Sequence, residues 1–226
     1  MLKYFWIFSF NFVFENEELP MKSVRSPEAL RDAIIKGTRH LIAVGGMSNF
    51  SYPKLLAETG IVAPTVYEHF RNKEDLLTAC YLEIDAEIGR LIAGVFEDMP
   101  PDVEEDVSAV VLAYCQKLWD TYWNYLIADS DRTRFYWTFY HTEYYTAAVR
   151  TRRAENFRAF NCFVDAVDQR FDLSDRCNRS VLVHNLIDGT TAAAVKLLSG
   201  EYSDDPLTVH TIFETIFQPV FAILDI

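Results

Sequence analysis

Apolar residues recur along most of this chain at steps of three and four, and no stretch beyond the first twenty residues alternates convincingly at period two. That pattern predicts an all-helical protein. The first helix opens at Ser26-Pro27, a capping serine followed by a proline at a position where its missing N–H is not needed, and closes before Gly45-Gly46. Its inner face is expected to be Leu30, Ala33, Ile34, Gly37, Leu41 and Val44. A second, short helix spans about Ser51 to Glu58, a Thr59-Gly60 turn ends it, and a third runs from about Val62 to His69. Asn72 then caps a long fourth helix, Lys73 to about Phe96, whose stripe Leu77, Tyr81, Ile84, Ile88, Leu91 and Val95 advances by alternating steps of four and three.

Met99-Pro100-Pro101-Asp102 breaks that helix. Further helices are expected over 103–128, over 131–172 with an interruption near His141, over 175–198 and over 205–223. Asp131, Ser174 and Asp204 or Asp205 are suited to cap them, and Gly200 to stop one. No internal repeat, low-complexity tract or flexible linker divides the chain, so the fourth helix should join its two parts directly.

The chain has 226 residues, half of them hydrophobic, enough for one large core or two small ones. A formal charge of -12 excludes a protein that coats nucleic acid over its whole surface, because phosphate binding needs clustered Lys and Arg. The charge is unevenly spread. Residues 21–76 hold eight basic against six acidic side chains, whereas 77–226 hold twelve against twenty-four. Any nucleic-acid contact must belong to the first of these.

Cys80, Cys115, Cys162 and Cys177 form no C-x-x-C pair, which suggests reduced thiols in a cytoplasmic protein, with neither a metal site nor a disulfide framework. Residues 1–20 begin with the apolar run MLKYFWIFSFNFVF, too short to span a bilayer and followed by no small-residue cleavage site. Two readings stay open. Translation begins at Met21, where ordinary domain composition starts, or the leader is an apolar arm that packs on the body or a partner. No membrane association is expected.

The most informative stretch is SYPKLLAETGIVAPTVYEHFRNKEDLL, Ser51 to Leu77. Its turn Thr59-Gly60-Ile61, then Pro64-Thr65-Val66-Tyr67, His69-Phe70, Asn72-Lys73 and Leu76-Leu77 resemble the helix-turn-helix of the tetracycline-repressor (TetR) family. Val66 and Phe70, four apart, would pack on the domain and leave the small and polar residues free for a major groove about 12 Å wide. The resemblance implies an all-α fold: a three-helix DNA-binding head over 21–75 and a helical effector-binding and dimerisation body over 76–226. It places Ala63, Pro64 and Thr65 near base edges, and Tyr67, His69 and Lys73 on phosphates. Ser51 and Tyr52 would offer hydroxyls or backbone N–H groups to a phosphate at the start of the second helix. Leu56 stands where the family has a small alanine, Pro53 where some members read guanine with arginine, and Glu68 adds a negative charge to the recognition helix.

Residues 114–163 are crowded with aromatic side chains. The candidate ligand pocket is Tyr114, Tyr122, Trp137, Tyr140, His141, Tyr144 and Phe163, with an apolar or aromatic effector expected; an aromatic core is the alternative. Arg150, Arg152, Arg153 and Arg158 read as a solvated face paired with acids, or less simply as an anion site. Leu182, Leu186, Val195, Ile212, Phe213, Ile216 and Phe217 are candidates for a homodimer interface, with intramolecular packing as the alternative. The resemblance implies a ligand-responsive repressor, a homodimer on a palindromic double-stranded operator. A helical interaction protein without DNA binding and an all-helical enzyme are the other classes. Against an enzyme stand the lack of a phosphate loop, H-E-x-x-H or nucleophile elbow and the scatter of His40, His69, His141, His184 and His210, and no cofactor is implied.

Overall fold

The computed structural model describes residues 26–97 and 107–225. The apolar leader, Met21 and the Met99-Pro100-Pro101-Asp102 break lie outside the described residues. Among those described, ten α-helices occur in the order α1 (Pro27–Gly45), α2 (Tyr52–Thr59), α3 (Ala63–His69), α4 (Lys73–Phe96), α5 (Val107–Ile127), α6 (Ser130–Tyr140), α7 (Ala147–Asn156), α8 (Arg158–Phe171), α9 (Arg179–Leu198) and α10 (Pro206–Leu224), with two short 3₁₀ turns and no strand.

Helix starts follow capping chemistry. Ser26, Ser51, Asn72 and Asp205 each accept the backbone N–H three residues on, satisfying a donor that the first turn leaves unpaired. Two caps differ from expectation. Asp129, not Asp131, caps α6, and Asn178, not Ser174, caps α9; Asp131 lies within the first turn of α6 and Ser174 in a 3₁₀ turn at 173–175. The stretch 131–172 is broken twice rather than once. After the break at His141, a second bend at Phe157 separates α7 from α8, turning Phe157 inward to 5% exposure.

That bend also presses the Asn156 carbonyl onto α4 at Gly89, where a Cβ would lie 2.3 Å from the oxygen, so only glycine permits this approach. The inner face of α1 is wider than its apolar stripe suggests. Ile35, Thr38 and Ile42 are buried alongside Ile34, Gly37 and Leu41, because α1 packs on α2, α3 and α4 and also along α6. Val44 is left 67% exposed. On α4, Leu91 is outside at 41% and Ile92 takes its place in the core, in step with Ile88.

One buried cluster runs from the first three helices through α4 into the rest of the chain. At the head end it is mostly aliphatic: Ile34, Leu55, Ile61, Val66, Leu76 and Leu77. Further along α4 it becomes aromatic. Tyr81 lies stacked between Tyr136 and Phe139 at 4.8 and 4.6 Å, and Trp119 packs on Phe213 and Phe217 of α10. Each fully buried side chain of this size contributes about 1.5–3 kcal/mol of transfer free energy. By length and composition α9 and α10 are apolar enough to cross a membrane. In the structure they pack on each other and on α5 through Phe213, Phe217 and Val220.

Candidate nucleic-acid interface and effector pocket

The turn between α2 and α3 is built from few parts. Gly60 adopts a left-handed conformation, φ 67°, that a residue with a side chain rarely takes, and its N–H closes α2 on the Leu56 carbonyl at 2.9 Å. The Thr59 hydroxyl donates to the Leu55 carbonyl at 2.8 Å and accepts the Ile61 N–H at 3.3 Å, tying both sides of the turn. Pro64 sits in the first turn of α3, where its ring is tolerated. Val66 and Phe70 are buried, at 0% and 3% exposure. Pro64, Tyr67 and Glu68 face outward, and Ala63, Thr65 and His69 are half-buried beside them.

The surrounding residues fix this free face. Tyr52 packs between Phe50 and Tyr67 at 5.8 and 5.4 Å, and burial pushes its hydroxyl above its ordinary pKa. Lys73 lies 5.4 Å over Phe50 and 5.8 Å over Tyr144, two ring faces that favour its charge there. The Ser51 hydroxyl is spent on the α2 cap, where it accepts the Lys54 N–H at 3.4 Å. Arg39 bonds the Cys80 carbonyl at 2.9 Å and pairs with Glu83, as does Arg31, anchoring α1 to α4. His40 meets Asp131 of α6 at 2.7 Å, and that hydrogen bond raises the histidine above its ordinary pKa.

The expected pocket residues of the body do not form one wall. Tyr122 is buried and shares a hydrogen bond with Thr191 at 2.7 Å, while Phe163 stacks on Phe96, as does Tyr114 from α5. Trp137, Tyr140 and His141 make a separate group at the end of α6, with Tyr140 donating to Asp188 at 3.3 Å, and Tyr144 lies near Lys73 by the head. The helices separate these groups because α6 ends at Tyr140 and the chain turns before α7.

A different polar centre lies between them. Asp85 of α4 is fully buried and accepts from the Tyr136 hydroxyl at 3.0 Å and the Asn156 amide at 2.9 Å, with Arg153 Nε 3.6 Å away. Burial pushes its carboxyl above the usual range, against the pull of Asn156, Arg153 and Tyr136. Burial likewise pushes the Cys80 and Cys115 thiols up to about 12. All four cysteines are free. Among the described residues no His, Cys, Asp and Glu group is placed to hold a metal.

Of the expected interface residues, Ile212, Phe213 and Phe217 are buried within the chain, the two phenylalanines beneath Trp119. Leu182, Leu186, Val195 and Ile216 are half-buried. An open groove of about 550 Å³ runs along α9 and α10, lined by Gly189, Ala192 and Ala193 of the first and Thr211, Thr215 and Ile216 of the second.

Residues 34–80 match the family model described as bacterial regulatory proteins, tetR family. Over those residues the chain resembles a tetR-family DNA-binding domain. The tetR fold extends over the rest of the chain as well. A TetR-family transcription regulator from Marinobacter aquaeolei VT8 superposes with a TM-score of 0.69 at 18% identity, covering 84% of this chain and 95% of its own. A putative TetR-family regulator from Vibrio parahaemolyticus gives 0.58 at 24% identity, covering 84% and 97%. The transcriptional regulator FadR from Bacillus subtilis, solved in complex with stearoyl-CoA, gives 0.55 at 14% identity, covering 82% and 96%. No protein of curated function matches by sequence.

Within this tetR fold, sequence reasoning missed the centre at Asp85 and Arg153. The signal was present, since a carboxylate falls next to Ile84 in the apolar stripe of α4. Arg150, Arg152 and Arg158 are exposed, as a solvated basic face requires, whereas the Arg153 side chain is only 12% exposed.

Proposed function

We propose that the chain is a DNA-binding transcriptional regulator, a ligand-responsive repressor that acts as a homodimer on a palindromic operator in the cytoplasm. The observation that carries this reading is α3. It is a short helix held by Val66 and Phe70 from behind, with Ala63, Pro64, Thr65 and Tyr67 on its open side, inside a domain matched by the tetR-family model. Ala63, Pro64 and Thr65 read base edges, while Tyr67, His69, Lys73, Ser51 and Tyr52 hold phosphates. The head corresponds to residues 21–75 and the body to 76–226, with α4 passing from one to the other.

Dimerisation is supported by the groove between α9 and α10, whose small residues Gly189, Ala192 and Ala193 suit close helix approach and whose exposed Leu207 and half-buried Ile216 a second copy would cover. Two heads would then meet DNA one helical turn apart, about 34–36 Å, or a multiple of it. For the effector, the complex of Bacillus subtilis FadR with stearoyl-CoA shows a protein of this fold with a ligand that carries a long apolar acyl chain. A ligand releases DNA only by binding the non-operator arrangement better, with a coupling of about 1–3 kcal/mol.

The test is selection of random duplex DNA by the full chain beside a Thr65→Ala, Tyr67→Ala, Lys73→Ala variant. A palindrome is expected, bound less tightly as salt rises and lost in the variant. No enrichment at low salt from an intact dimer overturns the reading and leaves a helical interaction protein.

A further inference from the structure

A pocket of about 210 Å³ opens where α7, α8 and α9 meet, with Arg150 and Arg153 on one side and Phe157, Phe160, Val183 and Ile187 around it. Phe160 and Ile187 also line an inner void of about 30 Å³ beside Trp119 and Tyr122, so the apolar lining continues inward from the charged side. Arg153 is the unusual member. A guanidinium carries five N–H donors and is costly to bury without acceptors. Among the described residues it makes one hydrogen bond, from Nη1 to the Tyr145 hydroxyl at 3.2 Å.

Its nearest carboxylate, Asp85, is 3.6 Å from Nε, beyond hydrogen-bond length, and both Asp85 oxygens already accept from Tyr136 and Asn156. The rings of Tyr140 and Phe157, 5.5 and 5.3 Å from the guanidinium carbon, steady the charge without satisfying its N–H groups. Arg150 lies one helical turn earlier on α7, exposed, with Nη1 on the Tyr145 carbonyl at 3.2 Å. Asp188 also lines the pocket and accepts from Tyr140, so an anion is favoured only at the arginine side.

We infer that this pocket binds a small organic carboxylate with an apolar body, the carboxylate on Arg153 with Arg150 beside it and the body against Phe157, Phe160 and Ile187. The inference rests on reading the body as an effector domain and names the effector's chemistry. The bound carboxylate competes with Asp85 for Arg153. Asp85 belongs to α4, which carries the head, so occupancy loosens the hold of α7 on that helix.

Phenylbutyrate and its neutral match phenylbutyramide are titrated into the full chain, followed by tryptophan fluorescence and thermal shift. Saturable binding of the acid is expected, with the amide at least about tenfold weaker, the size of one charge-assisted hydrogen bond. Arg150→Gln should weaken the acid several-fold and Arg153→Gln abolish its binding. Asp85→Asn should tighten it, because the internal competitor is gone; a purely structural Arg153 would not produce that gain. Equal binding of acid and amide, no binding of either, or acid affinity unchanged in both Arg150→Gln and Asp85→Asn overturns the inference, whether or not Arg153→Gln folds. The titration needs no DNA. A chain that binds the acid but selects no operator overturns the regulator reading alone, and the reverse overturns this one alone.

Discussion

The head and the body solve the problem of polar groups in opposite ways. In the head the core is mostly aliphatic and, among the described residues, its one buried polar side chain, Thr38, bonds the carbonyl of its own helix at Ile34, while the capping side chains stand at helix ends. In the body, polar groups go inside and across helices: Asp85, Thr133, Thr190 and Thr191 are buried, and the buried Tyr122 and Tyr136 hydroxyls bond Thr191 and Asp85. A surface that must meet a partner keeps its hydrogen bonds local, so its shape does not depend on the occupant. An interior that answers a small molecule, as proposed for this body, needs groups whose partners can be exchanged.

The comparison can be broken by substitutions on either side. The largest effect is expected from Phe139→Ala, which removes a fully buried ring stacked on Tyr81; about 3–5 kcal/mol of stability should be lost, seen as a fall in Tm of about 10 °C or more. Asn72→Ala should cost about 1 kcal/mol, because it removes one exposed cap at the junction of head and α4. Chemical denaturation that ranks the two equally would mean that the head is no less dependent on its few local bonds than the body on its core.

The smallest effect sharpens the joint between them. His40 has a raised pKa in the folded chain, so its contact with Asp131 stabilises fully below the ordinary 6.5 and is lost as pH rises through the folded value. With both side chains nearly half exposed, at 46% and 43%, solvent screening leaves a few tenths of a kcal/mol. Stability should therefore decline slightly from about pH 6.5 upward, and His40→Asn should flatten that slope.

The head was legible because its determinants are adjacent in sequence. Asn72 before Lys73, Gly60 after Thr59, and Val66 four residues before Phe70 each announce a local geometry, and α4 begins and ends where its caps and stripe place it. The body was legible only as helices. Whether Tyr122 faces Thr191 or a ligand, and whether Phe217 faces Trp119 or a second chain, depends on contacts across 69 and 98 positions, which periodicity does not encode. The bend at Phe157 was missed for the same reason, since its cause is the approach of Asn156 to Gly89 on a distant helix.

That approach gives α4 a fulcrum. From Gly89 to Lys73 the helix extends about 24 Å, at a rise of about 1.5 Å per residue. A tilt of about five degrees about that bearing displaces the arm's end by about 2 Å, comparable to the length of a hydrogen bond's reach. A small adjustment on one side of Gly89 would thereby be geared up on the other, where Lys73 begins the helix.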